Sequence, residues 1–416
     1  MFAKALQLSK TLAFGLVFIG VVCVQFFYDA NNLPIGFESA KVQALQTIAV
    51  IALLYILLLL PLDLWQQYRK SGNLKNLLQK LRPVLFLNLP VLFAVGLIVW
   101  SIINSPFQTI AVEGNPFRYS GLWTILALFV LLYFSWAFSQ TKFLKILLLG
   151  YLALIILHAI LGYVDVSSLD WELIKTGNYV NGNFGQANFF GNTIATGIII
   201  ATVYCLEAWR TKDYKLISVL LLAILILSGV LILSFSYGTW VILPVVLGGY
   251  LLVRFSKLNS GRKLLLSLGL LTVATVLVLV GIYQSDEARR LTWDAVVVLI
   301  AQRPFWGYGP DTLSYALQAA KLLPDRFIDR SHNIILDLIF NFGILILPSL
   351  ALLVSPVIHK LWRIKIPNTI QILILGLVLY FLTDLFHTKS VFHYAEVFMF
   401  TGILLNYVTT AKSDPS

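Results

Sequence analysis

The chain has 416 residues, 59% of them hydrophobic and only 12% charged, with a formal net charge of +11 and a mean hydropathy of +0.86. A water-soluble domain of that length has no use for so much apolar surface, so the composition points to a polytopic membrane protein. The two cysteines, Cys23 and Cys205, lie inside apolar runs; they exclude a disulfide framework and read as small core residues, and no Cys/His cluster suggests a metal.

Taken in order, twelve apolar segments are long enough to span a bilayer: about 12–28, 43–62, 84–103, 120–139, 143–163, 188–208, 216–234, 238–256, 264–284, 333–358, 368–386 and 391–410. Each must be helical, because lipid offers the backbone no hydrogen-bond partners. The first follows a short, weakly basic start, Met1 to Lys10. It lacks the small-residue cleavage site of a signal peptide and runs into Gln25-Phe26-Phe27-Tyr28, so it reads as a span. The expectation is an all-α polytopic membrane protein with about 12 transmembrane helices and a single integral membrane domain, residues 1–416. No internal repeat, low-complexity tract or second soluble domain is evident.

Charge sets the orientation. With the N-terminus inside and the spans alternating, the inside segments carry 20 of the 30 Lys and Arg residues, the bias of a cytoplasmic face with both termini cytoplasmic. The lysines and arginines are thereby explained as topology signals and contacts with membrane lipids, without nucleic acid as a partner. Three loops of length fall outside, about 104–119, 164–187 and 285–332. The last is the longest and holds Arg289, Arg290, Arg303, Lys321, Arg326 and Arg330, six of the ten outside basic residues. An outside loop should be poor in arginine, so this one asks for another reason. Its stretches 292–300 and 312–323 are mildly amphipathic and predict short helices on the membrane surface.

Several stretches could carry chemistry. Asp329-Arg330-Ser331-His332-Asn333 ends the long loop where an apolar helix begins at Ile334. An ionisable group at the membrane edge is costly and therefore a functional candidate, although a histidine near a helix start also serves as a cap. Arg289, Arg290, Arg303 and Arg330 can fork onto a pyrophosphate; ion pairs with Asp286, Glu287, Asp325 and Asp329 are the plainer reading. The run Arg303-Pro304-Phe305-Trp306-Gly307-Tyr308-Gly309-Pro310 specifies a tight loop, with Trp306 stacking on a sugar or anchoring at the interface. The run Asn181 to Asn192 sets amides, among them Asn183, Gln186 and Asn188, beside aromatics. It suits sugar hydroxyls or, equally, a polar turn with an N-cap from Asn188. Asn333, Asp337 and Asn341 line one face of the tenth span at i, i+4, i+8, the pattern of interhelical glue. Asp384, His387, Lys389, His393 and Glu396 suggest a local ion-pair cluster around the last outside turn.

Their order resembles the O-antigen ligase/polymerase superfamily over roughly residues 180–350. The carriers are Asn183-Phe184-Gly185-Gln186-Ala187-Asn188-Phe189 entering one span, Ser234-Phe235-Ser236-Tyr237-Gly238-Thr239-Trp240 linking two, Arg290-Leu291-Thr292-Trp293 opening the long loop, then Pro304, Gly307 and Gly309, and His332-Asn333 closing it. The resemblance implies a GT-C-like glycosyltransferase. It takes a glycan from undecaprenyl pyrophosphate at the periplasmic face of the bacterial inner membrane. The acceptor is a sugar hydroxyl, on lipid A-core for a ligase or on another lipid-linked glycan for a polymerase. Such enzymes need no cofactor, metal or nucleotide sugar. The family's histidine maps onto His332 and one family arginine onto Arg290. Many members carry an arginine where this chain has Tyr237. The expected roles are His332 and Arg290 in catalysis, Arg289, Arg290, Arg303 and Arg330 on the pyrophosphate, and Asn183, Gln186, Asn188, Tyr237, Trp306 and Asn333 on glycan or acceptor. The rival from another class is a transporter or flippase of lipid-linked glycans, with Asp337, Asp384 and Glu396 as coupling sites.

Overall fold

A computed structural model describes residues 2–27, 36–71, 74–168, 186–256, 269, 287–324, 326–361, 364, 366–385, 387 and 390–411. Among the described residues there is no strand. In chain order the helices are α1 (Phe2–Cys23), α2 (Gly36–Ser71), α3 (Leu74–Ile103), α4 (Gln108–Glu113), α5 (Leu122–Phe138), α6 (Thr141–Ser168), α7 (Ala187–Thr211), α8 (Tyr214–Leu233), α9 (Tyr237–Phe255), α10 (Glu287–Gln302), α11 (Leu313–Ala319), α12 (Ile334–Phe342), α13 (Ile346–Leu361), α14 (Asn368–Asp384) and α15 (Val391–Thr410).

Seven of them, α1, α2, α6, α7, α8, α9 and α15, are long and apolar enough to cross a membrane, and shorter apolar helices lie at 89–103, 122–138, 346–361 and 368–384. The chain is a multi-pass membrane protein. The ninth expected span, 264–284, lies outside the described residues except for residue 269. Cys23 and Cys205 are free and half-buried, less enclosed than a core reading implies.

The tenth expected span is not one helix. It breaks at Gly343, whose φ of +78° suits glycine, and resumes as α13. A break strands the last carbonyls of α12. The Gly/Pro-rich loop meets them: Tyr308 N donates to Phe340 O (2.8 Å) and Gly309 N to Asn341 O (2.9 Å), while Ile344 N donates to Pro304 O (2.8 Å). Tyr308 stacks flat on Phe340, 4.9 Å between centroids. A Cβ on Gly307 would lie 2.4 Å from Asn341 O, at a φ of +64°. The loop is therefore glycine-rich because backbone must touch backbone there.

The bundle is organised around α7, 83% of whose most apolar window is buried, against 22–39% for α8, α9, α6 and α1 and 67% for α15. Small and polar residues let its neighbours come close. A Cβ on Gly191 would meet the Ser236 side chain at 2.5 Å. Polar side chains buried in a span call for protein partners, and several along α7 have them. Thr239 donates to Asn192 Oδ1 (3.0 Å) and Ser236 to Asn188 Oδ1 (3.1 Å), and the two hydroxyls lie 2.8 Å apart. Thr193 Oγ1 lies 3.1 Å from His393 Nε2. Thr196 donates to the Tyr380 hydroxyl (2.9 Å), and both Tyr380 and Tyr151 donate to the fully buried Glu396. His393 and Glu396 thus belong to an interhelical ladder instead of a cluster on the turn; Lys389 lies outside the described residues.

Candidate functional site

Three segments distant in sequence meet at one end of the bundle: 104–121 between α3 and α5, the start of α10, and the described residues of 311–333, which include α11 and lead into α12. The stretch 326–331 passes from exposed Arg326 and Phe327, through half-buried Asp329, to buried Arg330 and Ser331. Local chemistry fixes that descent. Asn333 caps α12, its Oδ1 accepting from Ile335 N (3.0 Å) and Leu336 N (3.2 Å). Ser331 N donates to Asp337 Oδ1 (2.9 Å), and Trp293 Nε1 of α10 donates to Ser331 O (2.9 Å). His332 between them takes a left-handed φ of +58°, a conformation that a non-glycine residue keeps only where its surroundings enforce it.

Charge gathers around this turn. Arg330 Nη2 lies 3.0 Å from Asp311 Oδ1, with Asp311 fully enclosed. The other oxygen of Asp311 accepts from Asn115 N (2.6 Å) and Ser120 N (3.0 Å), tying the two loops together. Arg118 Nε sits 2.5 Å from Asp329 Oδ2, and its guanidinium lies 5.4 Å from the Phe189 ring at the head of α7. Burial pushes the Asp329 carboxyl up, but the charge and hydrogen bond of Arg118, with Arg330 and His332, bring it net below the ordinary range. Burial pushes the Arg330 guanidinium down, and Asp311, Tyr394, Asp337 and Asp329 more than offset this, so it stays charged. His332 is shifted down, first by burial, with Arg289 and Arg118 adding to the shift and Asp329 and Asp337 opposing it. Its imidazole is therefore neutral near pH 7.

The expected site residues divide. Arg330 and His332 share one turn, and the Trp293–Ser331 hydrogen bond (2.9 Å) ties that turn to the first half of α10, which also carries Arg289. Arg290 is one position further round α10 and half-buried. Arg303 stands at the other end of α10, roughly 20 Å along the helix, where it donates to Asn104 O and lies 5.3 Å from the Tyr308 ring. Trp306 is also at that end, 5.7 Å from Trp100 and half-exposed. The Asn333 carbonyl oxygen is committed to the cap. Asn188 does not cap α7; Gln186 is the N-cap residue and makes no side-chain cap bond. Besides Ser236, Asn188 reaches His387, Nδ2 donating to Nδ1 at 3.2 Å. Gln186 Oε1 is buried with no hydrogen-bond partner among the described residues. Tyr237 is 61% exposed and packs edge-on to Trp240, 5.0 Å away. Asn183 lies outside the described residues. Asn333, Asp337 and Asn341 are all buried, but Asn333 caps its own helix, Asp337 accepts from Ser331 N, and the Asn341 carbonyl oxygen accepts from Gly309 N of the facing loop.

Sequence reasoning missed Arg118 and Asp311. The signal for Arg118 was available: it too is an arginine in an expected outside loop, against the same charge bias that singled out 285–332. Among the described residues no group of three His, Cys, Asp or Glu side chains is placed to hold a metal.

No curated protein matches the chain. A family model described as O-antigen ligase matches residues 220–347, from within α8 to the start of α13. The matched segment includes Tyr237, Arg289, Arg290, Arg303, Trp306, Arg330, His332 and Asn333, and leaves out Asn183, Gln186, Asn188 and Arg118. Over that segment the chain is similar to O-antigen ligases, and the match supports the O-antigen ligase superfamily.

Proposed function

We propose that this protein is an O-antigen ligase-type glycosyltransferase that moves a glycan from undecaprenyl pyrophosphate to a sugar hydroxyl of lipid A-core, at the periplasmic face of the inner membrane. The observation that carries the reading is the gathering of Arg330 and Arg118, each ion-paired to an enclosed aspartate, at the His332 turn, which the Trp293–Ser331 hydrogen bond ties to the start of α10 with its Arg289 and Arg290, inside or beside the matched segment. In a GT-C-like membrane enzyme with both termini cytoplasmic, that cluster faces the periplasm.

In this mechanism the arginines hold the pyrophosphate and offset the charge that grows on it as it leaves. Arg289 and Arg290, at the start of α10, are the first contacts; Arg330 and Arg118 add field while restrained by Asp311 and Asp329. The acceptor hydroxyl oxygen bonds to the anomeric carbon as the carbon–phosphate oxygen bond breaks. The electron pair leaves on undecaprenyl pyrophosphate, and the hydroxyl proton passes to the His332 imidazole. One direct displacement inverts the anomeric centre, and no step calls for a metal.

The test is an in vitro transfer assay with purified protein, a lipid-pyrophosphate-linked glycan and candidate acceptors, with EDTA present. Product on lipid A-core, lost in Arg289→Ala or Arg290→Ala, supports the reading. Extension of the lipid-linked chain instead identifies a polymerase. Absence of product with every acceptor, alongside proton-dependent uptake of the lipid-linked glycan into vesicles, identifies a carrier.

A further inference from the structure

Immediately above the charged cluster stands a pair of exposed aromatic rings. Phe117 and Phe327 come from the two loops tied by Arg118–Asp329, with ring centroids 4.5 Å apart and planes at 46°. They are 40% and 55% exposed, whereas the ion pair beneath them is 14% and 17% exposed and the Arg330–Asp311 pair below that is 10% and 0% exposed. Along this axis the surroundings change from enclosed charge, to half-enclosed charge, to open aromatic face.

Two occupants suit an open phenyl pair, lipid and the apolar face of a sugar ring. Position decides between them. Arg118, the neighbour of Phe117, packs over Phe189 at the head of α7, the most enclosed of the long helices. The Arg118 side chain next to the pair thus reaches inward over the bundle. The pair also lies beside exposed Arg326, whose charge belongs in water. Interfacial anchoring favours tryptophan and tyrosine, whose polar atoms reach the headgroups, over phenylalanine.

The donor proposed above is a glycosyl pyrophosphate. In that ligand a sugar ring is joined directly to the anion, and here one ring face lies one residue from Arg118 and the other two residues from Asp329. We infer that Phe117 and Phe327 form a platform that stacks on the pyranose ring next to the pyrophosphate of the donor. This rests on the donor site proposed above and adds a subsite for the first sugar. It also assigns a purpose to the loop 104–119, which lies outside the matched segment.

The experiment compares two probes on the full-length protein in lipid nanodiscs: undecaprenyl pyrophosphate and undecaprenyl pyrophosphate carrying one N-acetylglucosamine. The expected result is tighter binding of the sugar-bearing probe by wild type, on the order of tenfold. Phe117→Ala/Phe327→Ala removes that preference and leaves the affinity for bare undecaprenyl pyrophosphate unchanged, while Phe327→Trp retains it. Equal binding of both probes by wild type, or a preference that survives the double substitution, overturns the platform alone. Weaker binding of both probes in the double variant shows that the rings hold lipid and also overturns it. If wild type binds neither probe, the donor site itself is wrong.

Discussion

The ladder between α7, α9, α14 and α15 and the cluster around His332 are both polar and both enclosed by helices, yet they are put together differently. In the ladder, hydroxyls and amides pair with one another, and the carboxyl of Glu396 takes two tyrosine hydroxyls. Glycines bring the backbones close, and the parts lie on regular helices. In the cluster, charges of both signs stand on loop and helix ends, one histidine holds a left-handed backbone, and exposure rises within a few residues. Matched neutral donors and acceptors give a rigid bundle. The cluster instead combines enclosed ion pairs with half-buried arginines at the start of α10, the groups within reach of a ligand. The comparison separates residues that hold the molecule together from residues placed to act on something else.

The largest effect should come from His332→Ala. Transfer should fall by at least ~100-fold if the imidazole is the base, with thermal stability near that of wild type. Arg330→Ala should cost both activity and stability. It strands the enclosed Asp311 carboxylate, a loss of about 3–5 kcal/mol for a broken buried pair, visible as a lowered melting temperature. Arg289→Ala should cost activity without that stability loss, which separates ligand contact from scaffold. Comparing Arg289→Ala with Arg290→Ala shows which arginine matters more; the charge of Arg289 on His332 favours a deeper loss for Arg289.

The pH dependence sharpens the same contrast. The native pKa of His332 is depressed by burial, so the neutral base persists below the ordinary histidine value of about 6.5. The acid limb of the transfer rate should lie under that value. A limb above it would place the controlling group elsewhere. In the ladder, Tyr380→Phe should leave pH dependence and transfer unaltered and lower stability by roughly 1–3 kcal/mol, the cost of unmaking buried hydrogen bonds. Gly307→Ala should cost about 1–3 kcal/mol through a left-handed backbone and a Cβ against Asn341 O, again with little effect on the site chemistry.

Much of the architecture was legible because bilayer spans write themselves as long apolar runs, and the helices of the long loop followed from their amphipathic period. His332 stood out in the sequence because an ionisable residue at a span boundary is expensive. The cap at the start of α12, which the sequence reading offered to His332, falls instead to Asn333, an asparagine just before an apolar run. Other features arise only in three dimensions. The Arg118–Asp329 pair joins residues 211 apart in sequence, and no local pattern announces such a partner. The break at Gly343 depends on the loop that reaches back to satisfy the freed carbonyls. The separation of Arg303 from Arg289 follows from the length of α10, which turns two arginines of one loop into residues at opposite ends.

The most direct test of the central claim is transfer by His332→Ala, measured beside donor binding in the same nanodisc preparation. If the cluster is the transfer site and the imidazole takes the acceptor proton, the variant binds the lipid-pyrophosphate-linked glycan with wild-type affinity and forms no product. Product at the wild-type rate, with donor bound, contradicts the account and removes His332 from the chemistry.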